Sequence, residues 1–358
     1  MKFIIVVLPG DGIGPEVIHQ TVRVLEVIAS LTGHEFNFQE RLIGGCSIDR
    51  FETPLTESVM ADCRSADAIL LGAVGGSKWD DPGAEVRPEQ GLLRLRKELR
   101  VFANLRPVCV DSNLAHISPL KPERLEGVDI MVVRELIGGL YFGQPRIREK
   151  SDGYERAVDT LEYYDYEIRC VMHKAFQLAI KRRRKVSSVD KANVLESSRL
   201  WRQVANEVSL SYPDVTLEHV LVDTAAMRLI ASPSDFDVLV TENMFGDILT
   251  DLASVLAGSM GMLPSASLGF TNLGLYEPIH GSAPNIAGKG IANPVGAILS
   301  AAMMLRFSLQ LEREAVALES SVSQTIAEGY RTADLGGNLS TQQMADEIID
   351  CLPGMLLK

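Results

Sequence analysis

FIIVVLPGDGIGPEVIHQTVRVLEVIASL, residues 3–31, sets the fold class. Six apolar residues, Phe3 to Leu8, read as a strand buried on both faces, and Pro9-Gly10-Asp11 ends it. Over 15–31 the apolar positions recur with the spacing of an amphipathic helix. The texture repeats down the chain. Apolar runs at 67–75 (DAILLGAVG), 128–133 (VDIMVV), 185–189 (KVSSV) and 236–241 (FDVLVT) are separated by helix-length segments. Apolar strands alternating with helices make an α/β fold, a large, mostly parallel sheet covered by helices. The glycines at 10–14 are spaced GxGxG, with Pro15 next and no glycine at the sixth position, so the dinucleotide fingerprint is not met and the fold is read as non-Rossmann.

The apolar start at Phe3 is too short for a membrane span and runs into a helix rather than a small-residue cleavage site, so it is expected to be a first strand and not an anchor or signal peptide. A chain of 358 residues, 46% of them hydrophobic, has room for a large core in two lobes. Against 47 Asp+Glu stand 35 Lys+Arg, a net charge of −12, the wrong sign for holding nucleic acid. Cys46, Cys63, Cys109, Cys170 and Cys351 show neither zinc nor disulfide spacing, and a reducing cytoplasm is expected. After Arg100, short extended pieces separated by Gly and Pro suggest an antiparallel arm that reaches a partner subunit. From about residue 259 a Gly/Pro/Ser-rich stretch, ahead of two C-terminal helices, reads as a binding loop.

Asp247 and Asp251 in MFGDILTDLAS lie one helical turn apart among apolar and small residues. On a helix both carboxylates share a face, a repulsion that a divalent cation would neutralise, and Mg²⁺ or Mn²⁺ suits such hard oxygen donors. The alternative is a first-turn aspartate complementing the helix dipole, with the second one solvated. Asp223, in HVLVDTAAM, falls where a strand gives way to a helix, where open α/β sheets place functional groups. Lys191 follows the strand 185–189, a position where partial burial would lower its pKa towards proton transfer. Arg106 and Arg134 sit near strand ends, and Arg94 and Arg96 lie in LLRLRK; converging guanidinium forks suit a substrate with more than one carboxylate. The run KRRRK at 181–185 closes a helix and is expected to face solvent. In HGSAPNIAGKGIANP, 280–294, small residues such as Gly281 and Ser282 permit close backbone approach, and His280 is placed to meet an adenine.

Taken together, GDGIGPEV, ILLGAVGG, RPEQGLLRLRKELRVFANLRP, VVRELIGGLYFGQPR, SVDKANVL, TENMFGDILTD, GMLPSASLG and EPIHGSAPNIAGKGIANP resemble the metal-dependent β-decarboxylating dehydrogenases, the isocitrate/isopropylmalate family, over essentially the whole chain. The resemblance implies two lobes, 1–101 with 259–358 and 102–258, the second carrying the arm and most of the contact of a homodimer. It implies that Arg96, Arg106 and Arg134 hold the malate part of the substrate. Asp247 and Asp251, with Asp223 from the other subunit, would bind the metal. Lys191, also from the other subunit, would work with Asp223 to remove the hydroxyl proton, and Tyr141 would protonate the enol. The adenosine pocket would use His280, Gly281, Ser282, Ala283, Asn285, Ile286 and Asn293, with Ile13 and Glu89 near the nicotinamide of NAD. Leu92, Leu93 and Val194 match the apolar pocket that favours 3-isopropylmalate over isocitrate. Siblings acting on D-malate, tartrate or homoisocitrate are disfavoured by that pocket. A phosphohydrolase would not need the arginines, the lysine and the adenosine segment together, and a non-catalytic interaction protein would leave these polar groups without a purpose. One departure stands out. Asn285 occupies the place where the family's isopropylmalate branch carries a ribose-binding aspartate, which weakens the electrostatic bar against NADP, whereas Ile286 still favours NAD.

Overall fold

A computed structural model describes residues 1–79, 81 and 83–357. Along the chain run β1 (Lys2–Gly10), α1 (Gly14–Thr32), β2 (Glu35–Glu40), α2 (Gly45–Phe51), α3 (Glu57–Ser65), β3 (Ala68–Ala73), α4 (Pro88–Leu99), β4 (Ala103–Cys109), α5 (Pro122–Leu125) and β5 (Asp129–Glu135). There follow β6 (Ile147–Ser151), β7 (Tyr154–Val158), α6 (Asp165–Ile180), β8 (Lys185–Asp190), α7 (Glu196–Ser209), β9 (Thr216–Leu221), α8 (Val222–Ala231), β10 (Val238–Thr241) and α9 (Asn243–Ala257). The chain closes with β11 (Pro264–Leu268), β12 (Gly274–Pro278), α10 (Val295–Phe307), α11 (Glu312–Ala327) and α12 (Thr341–Leu356).

Two compact units emerge. The first holds 1–101, 111–119 and 257–358, and the second 102–110 and 120–256. In the first, the strand order is β2-β1-β3-β12-β11, parallel except for the antiparallel pair β11–β12. β3 is buried at all six positions, as a strand covered on both faces must be. Helix α10 is apolar nearly all round and almost wholly buried, and it packs on β11, β12, α1 and α11. In the second unit the order is β4-β5-β10-β8-β9, parallel except for β4–β5. Helices α6 and α7 pack on each other and on these strands. The mixed, mostly parallel, helix-flanked sheet expected from the alternation is present in both units.

Three expectations need correction. The stretch after 259 is not one binding loop, because PSASL and GLYEP form β11 and β12, buried at every position; their small residues suit strands packed under α10. Three helices, not two, end the chain. The basic run 181–185 does not simply face water. Arg182 donates to buried Asp237 at 2.8 Å and to the Asp129 carbonyl at 2.8 Å, and Arg183 donates to the Phe236 carbonyl, so these guanidinium groups tie the end of α6 to the strand β5 and to the segment before β10. The extended pieces after Arg100 are the antiparallel pair β4–β5 and a separate hairpin, β6–β7. Among the described residues no helix is long and apolar enough to cross a membrane.

Candidate active site

In the second unit, strand alternation decides which side chains meet. Asn104 lies opposite Arg134 in the β4–β5 ladder and Arg106 is two residues on, so all three point to one face. Helix α9 follows β10 and presents Asp247 to them. Arg134, 2% exposed, donates to Asp247 Oδ1 through Nη1, and through Nε and Nη2 to Asn243 Oδ1 at 3.2 and 2.8 Å. Gly246 is required beside it, since a Cβ there would lie 2.6 Å from Arg134 Cγ. Arg106, also buried, donates to Asn104 Oδ1 at 2.6 Å and Thr250 Oγ1 at 2.5 Å, and its Nη2 stands 3.9 Å from Asp247. The Tyr141 hydroxyl donates to Asp247 Oδ2 at 2.9 Å, and its ring lies under the Arg134 guanidinium, 5.7 Å from ring centre. Arg106, Arg134, Tyr141 and Asp247 thus form one cluster.

The electrostatics follow from this packing. Burial raises the Tyr141 hydroxyl above the usual phenol range, and the Asp247 charge and hydrogen bond push it further. The Asp251 carboxyl is raised by partial desolvation and by the charge of Asp247 one turn away. Arg106 and Arg134 stand against Asp247 and also draw the Asp251 carboxyl down, but at Asp251 burial and the Asp247 charge outweigh them. Two neighbouring carboxylates that offer only hard oxygen donors fit Mg²⁺ or Mn²⁺. Among the described residues no three His, Cys, Asp or Glu side chains of one chain gather as a metal set.

Lys191 lies just past β8 and Asp223 in the first turn of α8. The Lys191 ammonium, about a quarter exposed, donates to Asp223 Oδ1 at 2.8 Å, and this bond holds the Asp223 carboxyl below its ordinary range. The two residues expected to act together are in contact. Val194, three residues on, is 62% exposed.

In the first unit Arg96 is buried on α4 and donates from Nη2 to Glu277 Oε1, a buried carboxylate on β12, at 2.7 Å; its Nε is buried without a partner. Leu92 packs on the core cluster built around Leu55, Leu71 and Leu95, and Leu93 is half-buried. Exposed Glu89, in the first turn of the same helix, extends its carboxylate over Gly75. Ile13 is buried and donates its N–H to the Ser282 carbonyl at 2.8 Å. Gly12, at φ +60°, permits this approach, because a Cβ there would sit 2.0 Å from that same carbonyl oxygen. Gly12 thus serves backbone packing against the 280–294 segment, while Gly10 and Gly14 serve packing against the Ala73 and Pro9 backbone. Glu16 accepts from the N–H groups of Gly288 and Gly290 and holds the far end of the segment. Ala283, at φ +40°, makes the turn that Ile286 N–H closes, and Asn285 is exposed beside it. Asn293 is buried between Asp334 and the first N–H of α10. The His280 Nδ1 hydrogen goes to the Gly281 carbonyl at 3.0 Å, burial lowers the imidazole pKa, and Nε2 is buried without a partner. A neutral ring donating from Nδ1 leaves Nε2 an acceptor, which suits the exocyclic amine of adenine.

The match to known proteins spans nearly the whole chain. The family model described as isocitrate/isopropylmalate dehydrogenase covers residues 4–348. The chain belongs to the isocitrate/isopropylmalate dehydrogenase family. Within it, the 3-isopropylmalate dehydrogenase of Anaeromyxobacter dehalogenans is 69% identical over 345 residues, 96% of this chain and 98% of that one. That of Bacillus subtilis is 58% identical, covering 97% of this chain and 96% of its own. A solved isocitrate dehydrogenase from Methylococcus capsulatus superposes with a TM-score of 0.88 at 32% identity, over 98% of this chain and 99% of that one.

Each unit also contains supporting residues that sequence reasoning passed over. In the second unit Asn104, Thr250 and Asn243 fix the two arginines; in the first, Glu277 fixes Arg96 and Glu16 fixes the glycine-rich segment. For Asn104 a signal existed, since a polar residue two places before Arg106 in an apolar strand shares its face. Glu16 and Glu277 act across long stretches of chain, and no local pattern marks them.

Proposed function

We propose that the chain oxidises and decarboxylates (2R,3S)-3-isopropylmalate to 4-methyl-2-oxopentanoate and CO₂ while reducing NAD⁺, a step of leucine biosynthesis. The observation that carries this reading is the cluster of Arg106, Arg134 and Tyr141 around Asp247, with Asp251 one turn on, in a chain that is 69% identical to a 3-isopropylmalate dehydrogenase. Arg96, Arg106 and Arg134 grip the two carboxylates of the substrate, and Lys191 with Asp223 takes the C2 hydroxyl proton as hydride leaves C2 for NAD⁺. Tyr141, kept protonated by its surroundings, donates the proton to carbon after CO₂ departs. A divalent cation, Mg²⁺ or Mn²⁺, would be held by Asp247 and Asp251 with Asp223 of a second copy, and when bound it acidifies the alcohol and draws electrons towards the C2 oxygen.

The shared site makes the active form a homodimer. Apolar side chains left open on the second unit, Met227 at 65% and Ile248 at 59% exposure on α8 and α9, support a covering subunit. Leu92, Leu93 and Val194 serve the isopropyl group, and burying such a branch is worth roughly 1.5–3 kcal/mol, tenfold or more in preference. NAD is bound by the 280–294 segment, with adenine on His280, Asn293 holding that pocket, and Ile13 and Glu89 towards the nicotinamide. The five cysteines, all free, suit a reducing cytoplasm. The test is NADH absorbance with purified protein, NAD⁺ and Mg²⁺ or Mn²⁺. Strong growth is expected with 3-isopropylmalate and little with D-malate or isocitrate, and a stronger response to either control overturns the substrate assignment.

A further inference from the structure

One buried polar cluster has no part in the chemistry above. The Tyr163 hydroxyl lies between two carboxylates, 3.0 Å from Glu135 Oε2 and 3.4 Å from Glu242 Oε2, and accepts the Asn243 N–H at 3.0 Å. Glu135 is fully buried and Glu242 is 5% exposed. Each has a backbone role as well: Glu135 accepts from Ile137 and Gly138, Glu242 from Met244 and Phe245 at the start of α9.

What this cluster holds in place is the substrate-facing group already described. Asn243, whose N–H ends on Tyr163, presents Oδ1 to Arg134 and donates Nδ2 to the Gly138 carbonyl at 3.2 Å. The ring of Tyr163 packs against Gly138 and Gly139, so closely that a Cβ on Gly138 would be 2.7 Å from Cε1 and one on Gly139 2.5 Å from the hydroxyl oxygen. Those glycines open the short turn that ends in Tyr141. On its other side the ring meets Trp201 of α7 edge-on, with centres 5.9 Å apart.

We propose that Tyr163 is a positioning residue for the reaction: its hydroxyl fixes Asn243 and its ring fixes the Gly138–Gly139 turn, which together aim Arg134 and Tyr141 at Asp247. This rests on the function proposed above. A tyrosine is needed because the position must accept one hydrogen bond and donate another where no water replaces it. Phenylalanine keeps the ring, leaves the buried Asn243 N–H without its acceptor and takes the hydroxyl donor away from the two carboxylates, which keep only their backbone partners.

The experiment compares wild type with Tyr163→Phe in steady-state assays with 3-isopropylmalate and NAD⁺. The KM for 3-isopropylmalate is expected to rise tenfold or more and kcat to fall, while the KM for NAD⁺ stays within twofold. A drop in kcat with both KM values unchanged, as loss of active protein gives, overturns the proposal. Should Tyr163→Phe not fold, Trp201→Phe loosens the same ring without touching its hydroxyl partners; a threefold or larger rise in the substrate KM alone is expected, and an unchanged value overturns the proposal. If the wild type itself turns over no 3-isopropylmalate, the proposed function fails and the positioning role falls with it, an outcome distinct from an active wild type with an unmoved variant.

Discussion

Along residues 279–294 the chain is held by its backbone: Ser282 accepts from Ile13, Gly288 and Gly290 donate to Glu16, and the Gly290 carbonyl accepts from Thr341. Around Asp247 the bonds run between side chains, from Arg134, Tyr141 and Arg106 and on through Asn243, Asn104 and Thr250. A backbone-built segment recognises a ligand by shape and tolerates substitution, whereas a cluster of buried charges fails when one member goes, because the rest are left uncompensated. Changes in the second region should therefore cost orders of magnitude in rate, and changes in the first only factors in cofactor affinity.

The sharpest contrast is expected from Lys191→Met. It removes the proposed proton acceptor and should lower kcat by about 10²–10⁴. Its ion pair with exposed Asp223 is one of the weak surface kind, so the melting temperature should barely move; a large thermal shift with retained turnover would refute the role. Next is Glu135, pushed up to about 7 by burial. The unfolded carboxyl titrates near 4.5, so between those values the folded state binds the extra proton, and stability falls as pH rises across that window, on the order of 3 kcal/mol in all. Glu135→Gln has no such loss. Melting curves at pH 5 and pH 7 should show the variant gaining on the wild type at the higher pH, and a constant gap would contradict the assignment.

Smaller effects belong to the backbone-built region. Glu16→Ala frees the N–H groups of Gly288 and Gly290, and the NAD⁺ KM should rise roughly three- to tenfold with the substrate KM unmoved, the scale of one or two modest hydrogen bonds. Asn285→Asp is the mildest. It places a negative charge at the proposed ribose position and should widen the ratio of kcat/KM for NAD⁺ over NADP⁺ by a few fold, with no change in turnover of the preferred cofactor.

The same contrast explains what was legible in the sequence. The strands 3–8, 67–75, 128–133, 185–189 and 236–241 were readable because an apolar run in an α/β chain has few alternatives, and Asp247 and Asp251 because helical periodicity places them on one face. β2, β11 and β12 were not. EFNFQE is a half-exposed outer strand without an apolar run, and PSASL and GLYEP owe their strand form to pairing and to the cover of α10, which composition does not show. In the site, residue types that carry chemistry stood out, and the residues that hold them did not. Tyr163 gives its hydroxyl to Glu135 and takes the N–H of Asn243, 80 residues away, so its role appears only once the sheet has brought those segments together.

In the proposed enzyme one reaction centre draws on two copies of the chain, Asp251 from one and Lys191 from the other. Mixing Lys191→Met and Asp251→Asn subunits under conditions of exchange tests it, since each homodimer alone should be nearly inactive. In a random mixture half the dimers are hybrids and each hybrid holds one intact centre, so roughly one quarter of wild-type activity should return. If both residues serve a centre within a single chain, every centre in the mixture carries a defect, and activity that stays at the level of the separate variants would contradict the account.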